Sequence, residues 1–218
     1  MTPAVLLAAG TSSRYGCGNK LLARFGGRPL LVHCITQLRP AARPIIVVTG
    51  HQASHIHRCL RQAFGHGGHI RCVHNAHYRA GMASSLRRGI AALPPATTKA
   101  FLCLGDMPAV DASLLRRLTL AWQPELDVVR PQWRGQPGHP VLIHARLFAA
   151  FNDLYGDRGA KAILARVPST RQKRVPWHAG CLLDTDTPAM LRRAELQSTH
   201  INSNLGAFNT VSGVTRWK

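Results

Sequence analysis

Asp106 follows the apolar run Phe101-Leu102-Cys103-Leu104 and sits in Gly105-Asp106-Met107-Pro108, so a lone carboxylate stands at the tip of an expected central strand. Such a residue is badly placed for core packing and well placed to hold Mg²⁺ or Mn²⁺ against phosphate oxygens. The alternative is that Asp106 caps the helix that begins near Asp111. Two more acids, Asp184 and Asp186, stand at i and i+2 in Leu183-Asp184-Thr185-Asp186-Thr187-Pro188, just ahead of a helix with proline in its first turn. They read either as further metal ligands or as helix capping by Asp186 or Thr187 with Asp184 in solvent.

A second kind of chemistry is carried by Leu7-Ala8-Ala9-Gly10-Thr11-Ser12-Ser13-Arg14, followed by Tyr15-Gly16 and then Asn19-Lys20. Small residues after a buried strand let the backbone approach a triphosphate, whose charge the amides, hydroxyls, Arg14 and Lys20 would neutralise. The spacing fits neither a Walker A loop nor a dinucleotide fingerprint. A glycine-rich turn carrying two surface cations is the plainer reading. His51, His55 and His57 are also close in sequence, and a helix would put His51 and His55 on one face. No acid or cysteine accompanies them, so a solvated face is favoured over a metal site.

These residues need a scaffold. Val5 to Ala8, Ile45 to Thr49, Ile70 to Val73, Phe101 to Leu104 and Leu126 to Val129 are short apolar runs. Between them lie segments of helical spacing, such as Leu30 to Leu38 and Ser113 to Leu120. Continuous apolar strands alternating with helices predict a mostly parallel sheet covered on both faces, a three-layer α/β/α sandwich. Ligands of such sheets bind beyond the carboxyl ends of the strands, so the loops after Ala8, Thr49 and Leu104 should face the site, Gly105 among them. From Asp127 to Ile143 the rhythm breaks at Gly135, Pro137, Gly138 and Pro140, which predicts an antiparallel excursion before Arg146 to Phe151 turns helical.

The chain has 218 residues, 45% of them hydrophobic, enough for one core, and residues 1–197 are read as one domain with 198–218 as a polar tail, disordered or packed on the sheet edge. No apolar run approaches the roughly 20 residues of a membrane span, and a cytoplasmic location is expected. Six scattered cysteines suggest neither a disulfide framework nor a zinc site. The charge is unusual: 28 Lys plus Arg against 9 Asp plus Glu gives +19. Such a field attracts polyanions, yet the arginines are spread out with no nucleic-acid signature, so a phosphate-rich small substrate accounts for it as well.

Taken together, Leu-Ala-Ala-Gly-x-Ser-x-Arg with Lys20, Gly-Asp-Met-Pro and Asp-x-Asp-Thr-Pro resemble the MobA-like NTP transferases, and among them the molybdenum cofactor cytidylyltransferases. The resemblance extends through Gly26 to Leu30, Val48-Thr49-Gly50, Asn75 with Gly81 to Ser85, Gly138-His139-Pro140 and Gly156 to Lys161. Tyr15 departs from the family's usual methionine, and Cys17-Gly18-Asn19 makes the spacing to Lys20 one residue longer. The resemblance implies a Rossmann-like nucleotide-diphospho-sugar transferase fold and CMP transfer from CTP to molybdopterin, with pyrophosphate released. It also implies that Arg14, Lys20 and Asp106 are catalytic, and that the metal rests on Asp106 with Asp186 or Asp184. Thr49, Asn75, Ser84, Ser85 and Gly105 would join the loop around the nucleotide, and His139, Asp157 and Arg158 would face the pterin. For Asn75 and His139 an ordinary turn role stays open. Ala9 favours cytosine, since guanine-specific relatives usually carry glycine there. A molybdoenzyme of the xanthine oxidase type, or its chaperone, is the implied recipient. The competing readings are a guanylyltransferase of the same pathway, a cytidylyl- or uridylyltransferase for a sugar or polyol phosphate, a nucleic-acid-binding protein, and a catalytically silent molybdoenzyme chaperone.

Overall fold

The computed structural model describes residues 1–16, 18–65 and 69–196. The expected tail at 198–218 therefore lies outside the described residues, as does Cys17. In chain order the elements are β1 (Thr2–Ala8), β2 (Arg24–Phe25), β3 (Arg28–Pro29), α1 (Leu30–Leu38), β4 (Ala42–Thr49), α2 (Ala53–Phe64), β5 (Ile70–His74) and α3 (Met82–Ala91). Then follow β6 (Lys99–Leu104), α4 (Ala112–Leu120), β7 (Val128–Trp133), β8 (Gln136–Pro137), β9 (Val141–His144), α5 (Lys161–Leu164), β10 (Gln172–Pro176) and a helix over 188–196.

The main sheet runs β10-β7-β9-β6-β1-β4-β5, with β8 hairpinned onto β7 and with β2 and β3 forming a separate ribbon. Strand β1 pairs in parallel with β4 and β6, and β4 with β5. The departure from parallel pairing is β9, antiparallel to both β6 and β7. Here the glycine-rich stretch does what its composition predicts: Arg134 and Gly135 adopt positive φ and reverse the chain.

Both faces of the sheet are buried, which is why β1 and β4 are apolar without alternation. Ala4, Leu6 and Ala8 of β1 pack beneath α1, α2, α4 and the helix over 188–196. Val5, with Ile46 and Val48 of β4, packs beneath α3, α5 and Phe151. Burial of each such leucine or isoleucine contributes about 1.5 to 3 kcal/mol. The layers are thus helix, sheet, helix. Strand β10 was not visible in the sequence: Gln172-Lys173-Arg174-Val175-Pro176 buries only Val175 and reads as polar coil. Helix α2 begins after Gln52, so His51 precedes it and does not share a helical face with His55.

Candidate active site

Strand β1 lies between β4 and β6, and the chain leaves it first toward β4 and β5 before α3 carries it back to β6. At such a switch point the loops beyond neighbouring strand ends diverge and leave a crevice. The loop after β1 borders it. Ser12 takes a left-handed conformation at φ 55, and Ser13–Tyr15 form a single 3₁₀ turn. The Ser12 hydroxyl accepts from the Lys20 amide at 3.2 Å, and the Asn19 side chain accepts from the Leu21 amide at 3.0 Å. Lys20 is thereby fixed at its backbone before its ammonium meets any charge.

The acids come from two distant segments. The Gly105 amide donates to the Leu7 carbonyl at 3.0 Å, and a Cβ on Gly105 would lie 2.9 Å from that oxygen. Glycine lets the tip of β6 run hard against β1, so that Asp106 projects beside the loop. Across the crevice, the buried Thr185 hydroxyl donates to the Asp106 carbonyl at 2.9 Å. With Thr185 turned inward, its neighbours Asp184 and Asp186 both border the crevice.

Lys20 Nζ lies 2.5 Å from Asp106 Oδ2 and 2.7 Å from Asp186 Oδ1, while Arg14 Nη2 lies 2.7 Å from Asp186 Oδ2. Burial alone would push the Lys20 ammonium down, but Asp106 and Asp186 outweigh it and hold the group above its ordinary value. Burial, and then the charges of Asp186 and Asp106, raise the Asp184 carboxyl. Helix capping falls to other residues: Asp111 accepts from the Leu114 amide at 2.9 Å, and Thr187 accepts from the Met190 amide at 3.2 Å. Asp106 and Asp186 are thus left for the crevice. Among the described residues no group of three or more His, Cys, Asp or Glu is gathered to hold a metal ion by itself. Two converging carboxylates that share one ammonium do, however, suit an ion whose other ligands are phosphate oxygens and water.

The crevice encloses about 500 Å³ and brings together Leu7 through Arg14, Lys20, Ser85, Asp106, Asp157, Asp184 and Asp186. Thr49, Asn75 and Ser84 lie beneath that lining. Thr49 is buried and bonded to the His57 ring at 2.9 Å. Asn75 donates to the Ser84 and Ser85 hydroxyls at 2.8 and 3.0 Å, and Ser84 donates to the His77 and Gly81 carbonyls. Asn75, Ser84 and Ser85 thereby organise the start of α3. Gly105 supports Asp106 from behind, Arg158 is exposed outside the lining, and His139 is mostly buried behind it. Burial, then the Arg130 charge, pushes the His139 imidazole down to about 4.

Tyr78, Arg79, Gly81 and Met82 also line the crevice; Gly81 and Met82 belong to the segment already singled out, whereas Tyr78 and Arg79 carry no signal of their own in the sequence. A Cβ on Gly81 would strike the Gly156 backbone, so glycine there lets the 156–157 turn close on α3 and brings Asp157 to the wall. Thr185 was missed as well; burial of the middle residue of an extended Asp-x-Asp would have been the signal.

A family model described as the MobA-like NTP transferase domain matches residues 4–175. Nicotine blue oxidoreductase of Paenarthrobacter nicotinovorans is 32% identical over 177 residues, covering 75% of this chain and 81% of that protein. Among solved structures, Rv0371C from Mycobacterium tuberculosis H37Rv in complex with manganese is 26% identical, covers 88% of this chain and 96% of its own, and superposes with a TM-score of 0.71. A nucleotidyl transferase from Methanothermobacter thermautotroptrophicus reaches a TM-score of 0.78 at 22% identity, over 92% of this chain and 99% of that one, a likeness of fold.

Proposed function

Since the chain belongs to the MobA-like NTP transferase family, we propose that it transfers CMP from CTP to the terminal phosphate of molybdopterin, yielding the cytosine dinucleotide form and pyrophosphate. One observation supports this reading above the others: Lys20 and Arg14 stand on the phosphate-loop side of the crevice and are paired with Asp106 and Asp186 on the other. Each of these charges neutralises its neighbour. A nucleotide would exchange those partners, its phosphates taking Lys20 and Arg14 and freeing the two carboxylates.

An oxygen of the acceptor phosphate forms the new bond to the α-phosphorus, and the bond from that phosphorus to the bridging oxygen breaks, its electron pair leaving with pyrophosphate. The attacking oxygen is already anionic. The protein therefore needs no nucleophilic side chain and no strong base, only alignment and neutralisation of charge. A divalent ion, Mg²⁺ or Mn²⁺, held by Asp106 and Asp186, would add Lewis-acid neutralisation of the phosphate oxygens. Asp184, which also borders the crevice, is the alternative to Asp186. The manganese reported with the Mycobacterium tuberculosis protein supports a divalent ion here. Asp157 would meet the acceptor at the crevice wall, while Arg158 and His139 stand outside that lining. The product would pass in the cytoplasm to a molybdoenzyme of the xanthine oxidase type.

Ala9 lines the crevice, and its methyl group narrows the space open to a base. The test is pyrophosphate release with molybdopterin and either CTP or GTP. Wild type should prefer CTP by roughly 10- to 200-fold in kcat/KM, the worth of a clashing or missed group in a pocket, and Ala9→Gly should shrink that ratio without inverting it. A wild-type preference for GTP would sink the cytidylyl assignment and leave a guanylyltransferase. The 32% identity to an oxidoreductase supports a second reading, in which an electron-carrying dinucleotide lies along the same loop. On that reading no nucleoside triphosphate would release pyrophosphate in the assay.

A further inference from the structure

The phosphate end of the crevice is marked by its charges, and the opposite end carries an aromatic ring for which the reaction as described has no use. Strands β4 and β6 flank β1, so their tips stand about 10 Å apart at the spacing of neighbouring strands. Asp106 and the ions around it crowd the β6 tip. At the β4 tip stands Tyr78, among the described residues the only aromatic that lines the crevice. A Cβ on Gly50, the residue after β4, would lie 2.5 Å from Tyr78 Cβ and 2.9 Å from Ala9 Cβ. The absence of that atom lets three backbone segments converge and sets Tyr78 directly beside Ala9. The Arg79 guanidinium lies 5.7 Å from the ring centroid, and the His51 ring centroid is 6.2 Å away.

We infer that Tyr78, held against Ala9 by the missing side chain of Gly50, forms the wall on which the nucleobase rests and helps decide which base is taken. The inference builds on the nucleotidyltransferase reading above. A triphosphate anchored beside Lys20 and Asp106 leaves its nucleoside to extend across β1 toward the β4 tip. There a flat apolar face meets a flat base, and the width between that face and the far wall at Ser85 and Met82 limits ring size. Tyr78 touches the part of the substrate that does not react, so it governs binding and choice of base, and leaves the transfer step itself unaltered.

The experiment compares binding of Mg²⁺-CTP, Mg²⁺-GTP and inorganic tripolyphosphate by calorimetry to wild type, Tyr78→Leu, Tyr78→Phe and Gly50→Ala. Loss of one aromatic stacking surface should weaken CTP about tenfold in Tyr78→Leu, while tripolyphosphate, which has no base, should bind as it does to wild type. Retained tripolyphosphate binding also shows that the variant is folded. Tyr78→Phe should keep CTP affinity, and Gly50→Ala should lose it with Tyr78 still present, because the added methyl displaces the ring. Equal weakening of CTP and tripolyphosphate would move Tyr78 to the phosphates, and unchanged CTP binding would remove it from the base; either result overturns the inference while the transferase reading stands. Wild type that binds tripolyphosphate but no nucleotide more tightly would overturn both.

Discussion

Between its ordinary value of 6.5 and its depressed value of about 4, His139 is charged in the unfolded chain and neutral in the folded one. The unfolded chain then holds the extra proton, so stability is full above pH 6.5 and falls as the pH drops toward 4, by about 3 kcal/mol at most. His139→Gln removes this dependence. The drop in melting temperature between pH 7 and pH 4.5 should be smaller in the variant, and equal drops would mean that the imidazole titrates normally. At this scale the sequence was most readable where a residue type was out of place. Asp106 at the end of an apolar strand, and Asp184 and Asp186 in a chain with nine acids, stood out for that reason. Thr185 and Tyr78 did not, because a buried hydroxyl bond and a wall contact depend on what lies opposite, and the opposite side is contributed by Asp106 and Gly50. Asn75 and Ser84 were legible as unusual residues, but their polar groups are spent on one another beneath the lining.

Helix α3 carries Met82 and Ser85 to the crevice, and its height above the sheet is set by Gly89, where a Cβ would meet Val5 and Val48 of β1 and β4. Gly89→Ala gains about 1 kcal/mol of helix propensity but overpacks that contact, at a cost of about 1 to 3 kcal/mol. We expect net destabilisation in denaturant melts, together with weaker CTP binding as α3 lifts and takes Ser85 with it. Stabilised protein with unchanged affinity would show that the helix adjusts freely. The buried elements were legible because a strand covered on both faces must be apolar throughout, as Ile45-Ile46-Val47-Val48 is. The edge strand β10 escaped because among the described residues its only strand partner is β7, so pairing required no apolar residues beyond Val175.

All nine acids fall between Asp106 and Glu195, so residues 1–105 contain no carboxylate side chain. The half of the sheet comprising β1, β4 and β5, with α1, α2 and α3, therefore carries only cationic side-chain charge of its own. A triphosphate approaching it is drawn by a long-range field that salt screens over about 10 Å at 0.1 M. CTP affinity should fall several-fold between 50 and 500 mM NaCl, whereas uncharged cytidine should bind equally at both; parallel behaviour of the two would confine recognition to short-range contacts. The bond from Thr185 to the Asp106 carbonyl joins residues 79 positions apart. During synthesis the phosphate loop, β4 and β6 all leave the ribosome well before Asp186 does, and domains take shape as they emerge. The nascent chain thus passes through a long interval with its cations exposed and its second carboxylate still unmade. On the proposed reading, competence for metal and nucleotide would arrive together once Asp186 has emerged, and a chain cut short before it would have no assembled centre with which to consume CTP.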